Sequence, residues 1–422
     1  MKSFSDMGDF SERNVLMLGM LILALLYCIY GLDCATSDVI VFYEISEKFL
    51  GGEIPYRDFS TGYPPLSLIF FMFPRLFTSD INTYAAIFAA VNTVMFFMTL
   101  YCFVKICSMR NINRTVVSVL FLLMVSLYYE AAIRKFDASV GLFVVLSIFL
   151  FLKRKYFWAT TAAFAGAMIK IAPALLIPVF LIISIRCKEC RKGVLASTAL
   201  CAIIVLFAVT VLVIAGFDIG AITQFIESNS NRGFHQESTV AAVAMLIAKL
   251  GGPPFSMVES NYTYDVSAPL CDALVDIWTY VMIIAVILVL MIIAYAVSKK
   301  GVGETGEEQL KMIVAGTLAT MIVFLLFSKV FSTQFILWIY PLIVLFAGYR
   351  NRCGTIVVCV LSVAMVLLST SYLGNHNVWI LLVRDAILTL FMIESIYYTL
   401  RREELLSKFV SDFQVFCSAL HR

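Results

Sequence analysis

Long apolar runs recur along this chain, and they constrain its fold more than any other feature of the sequence. The first extends from Val15 to Leu32, and short charged clusters separate it from later runs of similar length. A helix needs about 20 apolar residues to cross a bilayer core. With 61% hydrophobic and 14% charged residues, the chain is far more apolar than soluble domains, which are roughly 45–50% apolar. The sequence therefore predicts an integral membrane protein.

The runs predict an all-α polytopic membrane protein with about twelve transmembrane helices. Two of these segments are short and flank the break at Lys170-Ile171-Ala172-Pro173, where proline ends a helix. The predicted segments are residues 15–33, 83–104, 115–130, 138–152, 156–169, 172–185, 193–216, 274–297, 312–327, 334–349, 354–372 and 378–399.

Loop charges predict the orientation of these helices. Lysine and arginine are enriched in cytoplasmic loops. Placing both termini in the cytoplasm puts most of the 31 basic residues on that side, among them Lys105, Arg110, Lys153, Arg186 and Arg350. The domain prediction is then a single transmembrane domain over residues 1–400. It has outer loops at 34–82 and 217–273 and a cytoplasmic tail at 401–422.

The first outer loop predicts interfacial helices. Ser37 is a candidate N-cap for an apolar-faced helix over 38–50, and Gly51-Gly52 would close it. Residues 66–77 are apolar but too short to span, so they read as re-entrant or interfacial.

Unusual polar residues fall almost entirely on the predicted outer side. Ionisable groups at membrane depth are costly and are functional suspects by default. Carboxylates among several cations suit a reaction in which a base removes a hydroxyl proton and cations hold a phosphate. The clusters are Asp38, Tyr56-Arg57-Asp58, Arg134-Lys135-Phe136-Asp137, Lys170, Arg232 to Ser238, Lys329 with Gln334, and Arg384-Asp385.

Each of these residues also has a purely structural reading. Asp38 could stabilise a helix dipole and Asp58 a turn, while arginines such as Arg134 could reach lipid headgroups. A lone histidine such as His235 is more often structural, and Arg384-Asp385 could be an internal ion pair. Lys170 is harder to explain in this way because it sits at a helix break.

Taken together, these segments resemble the GT-C superfamily of membrane glycosyltransferases, and most closely glycosyltransferase family 87, whose members use polyprenyl-phosphate mannose. The first-loop block is the most specific. Ala172 departs from the family's aromatic residue at that place, and the family offers no match for residues 251–272. The blocks that carry the resemblance are Ser37-Asp38 with Tyr43, Gly52 to Phe59, Tyr63 to Leu66, Arg134 to Asp137, Gly166 to Pro173, Arg232 to Ser238 and Lys329 to Trp338.

The resemblance implies an inverting transfer of one sugar, mannose by expectation, from a polyprenyl-phosphate donor to a lipid-linked or glycan acceptor on the outer face. It implies Asp38 as the general base. The candidate ligands of the donor phosphate are Lys170, Arg232, His235, Lys329 and Arg384. The candidate acceptor and sugar contacts are Tyr56, Arg57, Asp58, Tyr63, Arg134, Asp137, Glu237 and Gln334.

Other readings stay open at this stage. The sequence predicts no bound cofactor and no Cys/His cluster for a transition metal, while a divalent cation stays possible where carboxylates converge. The expected partners are the lipid donor, the acceptor and membrane lipids. No nucleic acid is expected, because no run of basic residues is dense enough. A polysaccharide ligase or polymerase would use a lipid-linked oligosaccharide instead of one sugar. A lipid or solute transporter would place ionisable residues near the midplane in related halves, a pattern that this sequence lacks.

Overall fold

The structure is a computed structural model that describes residues 11–32, 35–59, 61–110, 112–220, 223–224, 232–260, 263–300 and 306–400. The predicted tail at 401–422 lies outside these residues. Helices dominate, which confirms the helical class of the prediction. The helices are α1 (Glu12–Tyr30), α2 (Ser37–Leu50), α3 (Ser67–Arg75), α4 (Ile81–Arg110), α5 (Arg114–Ile133), α6 (Ala138–Leu152), α7 (Tyr156–Ala167), α8 (Leu176–Arg186), α9 (Lys188–Ile214), α10 (Thr239–Lys249), α11 (Pro269–Lys300), α12 (Gly306–Leu326), α13 (Ile336–Gly348), α14 (Arg352–Asn375) and α15 (Val378–Leu400).

Each of the twelve predicted segments corresponds to one of these helices. Short 3-10 turns at Ala172–Leu175 and Thr333–Phe335 extend α8 and α13 at their N-termini. By length and composition, seven of the described helices are able to cross a membrane: α1, α4, α5, α9, α11, α12 and most of α14. The prediction of an apolar, membrane-spanning helical protein is thus confirmed, and the count of twelve spans stays a prediction.

The core lies around α12 and α13. Every residue of α13 from Ile336 to Ala347 is buried, and 83% of the apolar window of α12 is buried. Helix α12 packs on α15, α13 packs on α5 and α6, and α6 packs on α4 and α7. By contrast, only 11% and 22% of the apolar windows of α9 and α11 are buried within the protein, as expected for helices that face lipid.

The predicted first-loop helices are present as α2 and α3. Val39, Phe42 and Ile45 on α2 are buried, and α2 packs against α3 and α4. The predicted closure at the C-terminal end is also present, since Gly51 is the C-cap of α2 and Gly52 has a φ of 94°. The predicted N-cap is off by one residue: Thr36 is the extended residue before the helix, and Ser37 is its first residue.

A small antiparallel sheet is the feature of the fold that the all-α prediction missed. Its strands are β1 (Phe234–His235), β2 (Ser256–Ser260) and β3 (Thr263–Ser267), in the order β1-β3-β2. Strands β2 and β3 form a hairpin with Val258 opposite Asp265. These short strands mix valine, threonine and tyrosine with polar residues, so they give no long apolar signal.

Candidate active site

The turn between α5 and α6, residues 134–137, organises one end of the helix bundle, which we call the upper end. The buried Asn92 side chain of α4 donates from Nδ2 to the carbonyl oxygens of Ile133 and Lys135, both at 3.0 Å. A buried amide that satisfies two carbonyls fixes the local backbone. The turn therefore presents Lys135 and Asp137 from a rigid base.

Asp38 forms an ion pair with Lys135. The Lys135 Nζ donates to Asp38 Oδ2 at 2.5 Å, and the side chains are 28% and 30% exposed, respectively. Asp38 lies in the first turn of α2, where the helix dipole favours a negative charge. This carboxylate is partly accessible, has a cationic neighbour and lies at the edge of the bundle.

A second, deeper ion pair joins Asp137 and Lys170. The Lys170 Nζ donates to Asp137 Oδ1 at 2.6 Å, and Trp338 Nε1 donates to the same oxygen at 2.5 Å. Asp137 is fully buried, whereas Lys170 retains 15% exposure. Asp137 Oδ2 is buried and has no hydrogen-bond partner among the described residues, which is unusual because buried carboxylate oxygens are normally hydrogen-bonded.

Local chain geometry explains the position of Lys170. Helix α7 ends at Ala167 and the 3-10 turn containing Pro173 begins at Ala172, so Lys170 lies in the short link between them. The first loop is attached here, since Leu66 N donates to Met168 O at 2.9 Å. The ammonium group also lies 5.2 Å from the ring centre of Phe335 and 5.5 Å from that of Trp338, both within cation–π range.

Tyr63 connects the neighbourhoods of the two ion pairs. Burial raises the pKa of its hydroxyl, and the negative charges of Asp38 and Asp137 raise it further. The ring packs edge-on against Phe42 and Phe71, with centroids 5.5 and 5.2 Å away. Both carboxylates therefore act on one tyrosine hydroxyl at the upper end.

The predicted Tyr56-Arg57-Asp58 segment forms a self-contained turn. Arg57 donates to both oxygens of Asp58 at 2.8 and 2.9 Å, and Ile54 N donates to the same carboxylate at 2.7 Å. These bonds lower the pKa of Asp58, that from Arg57 contributing most. Tyr56 adopts a positive φ of 66° and donates to the carbonyl of Tyr63 at 2.6 Å. Burial raises the pKa of Tyr56 to about 12.

Arg384 is buried at the centre of a group that we call the latch: Glu237, Phe331, Arg384 and Asp385. Arg384 Nε donates to Asp385 at 2.8 Å, and Nη2 donates to the Glu237 carbonyl at 2.7 Å. Its guanidinium lies 3.9 Å from the Phe331 ring centre. The Glu237 carboxylate accepts hydrogen bonds from Thr333 N and Ser332 Oγ. The latch thus joins α15 to the segment around Glu237 and to the segment from Phe331 to Thr333.

His235 and Lys329 lie beside the latch. His235 N donates to the Lys329 carbonyl at 2.9 Å, and the imidazole Nδ1 accepts from Glu237 N at 3.3 Å. Burial lowers the pKa of His235, which keeps the ring neutral at neutral pH. Burial also lowers the pKa of Lys329, with Asp276 opposing the shift. His235 therefore offers a hydrogen bond rather than a positive charge.

The structure places the remaining predicted residues outside the two ion pairs and the latch. Arg232 Nη2 donates to Asp265 at 2.5 Å and to Thr263 at 2.6 Å, which ties it to the sheet. Arg134 pairs with Glu130 at 3.1 Å on α5. Gln334 is half-buried in the 3-10 turn before α13.

Sequence reasoning missed Lys135 and Trp338 as members of this site. Lys135 lies in a block that the sequence singled out, but nothing in the sequence shows that it rather than Arg134 meets Asp38. Trp338 reads as one more aromatic residue in an apolar run. Among the residues that the structure describes, no three His, Cys, Asp or Glu side chains form a group that could hold a metal ion.

The fold and the site define a class: a helical membrane protein with two carboxylate–lysine pairs, Asp38–Lys135 and Asp137–Lys170, at its upper end. The model of glycosyltransferase family 87 matches residues 61–332, well over half of the chain. The protein therefore belongs to glycosyltransferase family 87 and is a membrane glycosyltransferase. The match includes Tyr63, Asp137 and Lys170 and begins after Asp38. No curated protein matches the chain.

Proposed function

We propose that this glycosyltransferase moves a single sugar, mannose, from a polyprenyl-phosphate donor to a lipid-linked or glycan acceptor on the outer face of the cell membrane. Family membership supplies the reaction class. The observation that carries the finer proposal is the pairing of carboxylates and lysines around Tyr63. A carboxylate beside cations can accept a proton while the cations hold a phosphate.

The proposed reaction is a single displacement at the anomeric carbon. The acceptor hydroxyl oxygen forms a bond to that carbon while the bond from the carbon to the phosphate oxygen breaks. Asp38 takes the proton of the hydroxyl, and the electron pair of the broken bond stays on the phosphate. Configuration at the anomeric carbon inverts. Asp38 suits the role of base because its carboxylate is partly exposed, so an acceptor is able to reach it.

The donor phosphate gains negative charge as the bond breaks, so cations close to it stabilise the transition state. Lys170 is the best placed of the five proposed ligands because it keeps some exposure at the helix break. Arg232, Lys329 and Arg384 are more committed to contacts within the protein. We assign His235 a hydrogen-bonding role, and we assign the acceptor side to the turn around Asp58 and to Tyr63.

Loop charges support an outer location for the upper end. The opposite end carries Lys105, Arg110, Arg154 and Arg350, close to helix termini. Positive charge of this kind marks the cytoplasmic side. The upper end then faces outward, where a flipped lipid donor would present its sugar.

Product analysis with the purified full chain tests the proposal. We expect incubation with polyprenyl-phosphate mannose and membrane lipid extract to give a product heavier by one hexose, with release of polyprenyl phosphate. A product heavier by an oligosaccharide block would instead indicate a ligase or polymerase. Uptake into sealed vesicles without a covalent product would indicate a transporter.

A further inference from the structure

The proposed base is already occupied by a cation. Lys135 Nζ donates to Asp38 Oδ2 at 2.5 Å, so the oxygen pair that should receive a proton is partly neutralised by a lysine. A base held in this way is less available to a hydroxyl. Lys135 must therefore leave Asp38 before the carboxylate is able to accept a proton.

Several features favour Lys135 as the cation that changes partner. Its ion pair with Asp38 is partly exposed on both sides, and exposed ion pairs are weak and easily exchanged. The Asp137–Lys170 pair is deeper, with a fully buried carboxylate. Arg384 is almost completely buried. Lys135 thus combines proximity to the base with freedom to move.

The anchoring of Lys135 restricts that movement to its side chain. Asn92 holds the carbonyl of Lys135 at 3.0 Å, and the adjacent Phe136 packs against Phe71 with ring centroids 5.2 Å apart. A lysine side chain on a fixed backbone is a flexible stem with a compact charge. It can turn from one oxygen anion to another without a change in the fold.

We infer that Lys135 is a ligand of the donor phosphate and that it exchanges Asp38 for this phosphate when the donor binds, an inference that rests on the proposed function. The donor is a singly charged phosphodiester, and the leaving group is a more highly charged phosphomonoester. The pull of the phosphate on Lys135 therefore grows as the sugar leaves. The same movement releases Asp38 to accept the proton of the acceptor hydroxyl.

Binding of undecaprenyl phosphate to the full chain in detergent tests this exchange, with neutral undecaprenol as the comparison lipid. We expect Lys135→Met to weaken binding of the phosphate by about tenfold, the loss typical of one charge-assisted hydrogen bond. We expect Lys135→Arg to retain most of the affinity. Binding of undecaprenol should not change in either variant.

The decisive variant is Asp38→Asn. Because it frees Lys135 from a competing carboxylate, we expect it to strengthen phosphate binding by roughly threefold. The double variant Asp38→Asn with Lys135→Met should lose that gain. A purely structural Asp38–Lys135 contact predicts no gain in Asp38→Asn.

The Lys105–Glu12 pair is a matched control. It has the same 2.5 Å separation and similar exposure, 33% and 35%, at the opposite end of the bundle. Lys105→Met should leave undecaprenyl phosphate binding unchanged, so an equal loss in Lys105→Met and Lys135→Met would overturn the inference.

Two measurements separate this inference from the proposed function. Unchanged phosphate affinity in Lys135→Met, together with loss of transfer in Asp38→Asn, overturns the exchange and leaves Asp38 as the base. Full transfer activity in Asp38→Asn, together with weakened binding in Lys135→Met, overturns the base assignment and leaves Lys135 as a phosphate ligand.

Discussion

At the scale of single residues, the two lysine–carboxylate pairs of the upper end differ in depth. The exposed pair suits contact with substrates, and the buried pair suits stabilisation of the fold. Asp38–Lys135 is accessible, whereas Asp137 is sealed between Lys170 and Trp338. The sequence singled out Asp38, Asp137 and Lys170 as candidates because ionisable groups stand out in an apolar chain. It could not pair them, because residues as distant as Asp137 and Trp338 meet only through helix packing.

Replacing Asp137 should destabilise the protein. Asp137→Asn leaves the Lys170 charge in a largely buried place, and breaking a buried pair in this way costs about 3 kcal/mol. We expect a clear fall in the melting temperature, measured in detergent by intrinsic fluorescence. Glu12→Gln, which breaks a partly exposed pair, should change the melting temperature little. Equal melting temperatures for the two variants would contradict the buried role of Asp137.

His235 should make stability depend on pH. Its folded pKa is lowered by burial, whereas the unfolded side chain takes up a proton near pH 6.5. The unfolded state therefore binds more protons below that pH, and stability should fall as the pH decreases from about 7 to about 5.

The His235→Asn variant isolates this effect, since its amide oxygen can still accept from Glu237 N. We expect its melting temperature to fall less steeply than that of the wild type over the same pH range. An unchanged slope would show that other groups account for the acid sensitivity.

At the scale of elements, the sequence predicted the helices well, including the two of the first loop, and missed the small sheet. Apolar runs such as the one in α12 are long and unambiguous, so their helical state follows from length and composition. The sheet of β1, β2 and β3 has no such signal because its strands are short and partly polar. The latch likewise depends on α15 meeting the segment around Glu237, which no local pattern reveals.

Breaking the latch should weaken the attachment of α15 to the segment around Glu237. Arg384→Met leaves the buried Asp385 without its ion-pair partner and removes the bond to the Glu237 carbonyl, at a cost of about 3–5 kcal/mol. Arg384→Lys should not rescue the loss, because a lysine cannot match the guanidinium geometry that reaches both partners. We expect faster proteolysis of the segment around residues 232–238 in both variants.

Arg154→Met is the control for the latch variants, because its pair with Glu189 is exposed on both sides. Its proteolysis should match that of the wild type. If Arg384→Met were cleaved no faster than the wild type at residues 232–238, the latch would not be what holds this segment to α15.

At the scale of the whole molecule, the proposed reaction depends on which end of the helix bundle faces outward. The upper end should face outward and the end that carries Cys353 should face the cytoplasm. Cys353 is exposed at the start of α14, and Glu53 is exposed beside the first-loop turn. These positions allow the orientation to be measured by thiol labelling.

In single-cysteine variants, a membrane-impermeant maleimide should label Glu53→Cys in intact cells and should label Cys353 only after the membrane is opened. The physical reason is the concentration of lysine and arginine at the Cys353 end. The reverse pattern would place the site on the cytoplasmic side and contradict the use of a flipped lipid donor.

The most direct test of the central claim is the transfer of mannose from polyprenyl-phosphate mannose by Asp38→Asn. Asp80→Asn is the matched control. Asp80 is an exposed carboxylate that caps α4 by accepting a hydrogen bond from Thr83 N, and asparagine caps a helix equally well. We predict a folded Asp38→Asn protein whose transfer rate falls by at least about a hundredfold, the scale of general base catalysis, while Asp80→Asn keeps wild-type turnover. Full turnover by Asp38→Asn would contradict the account.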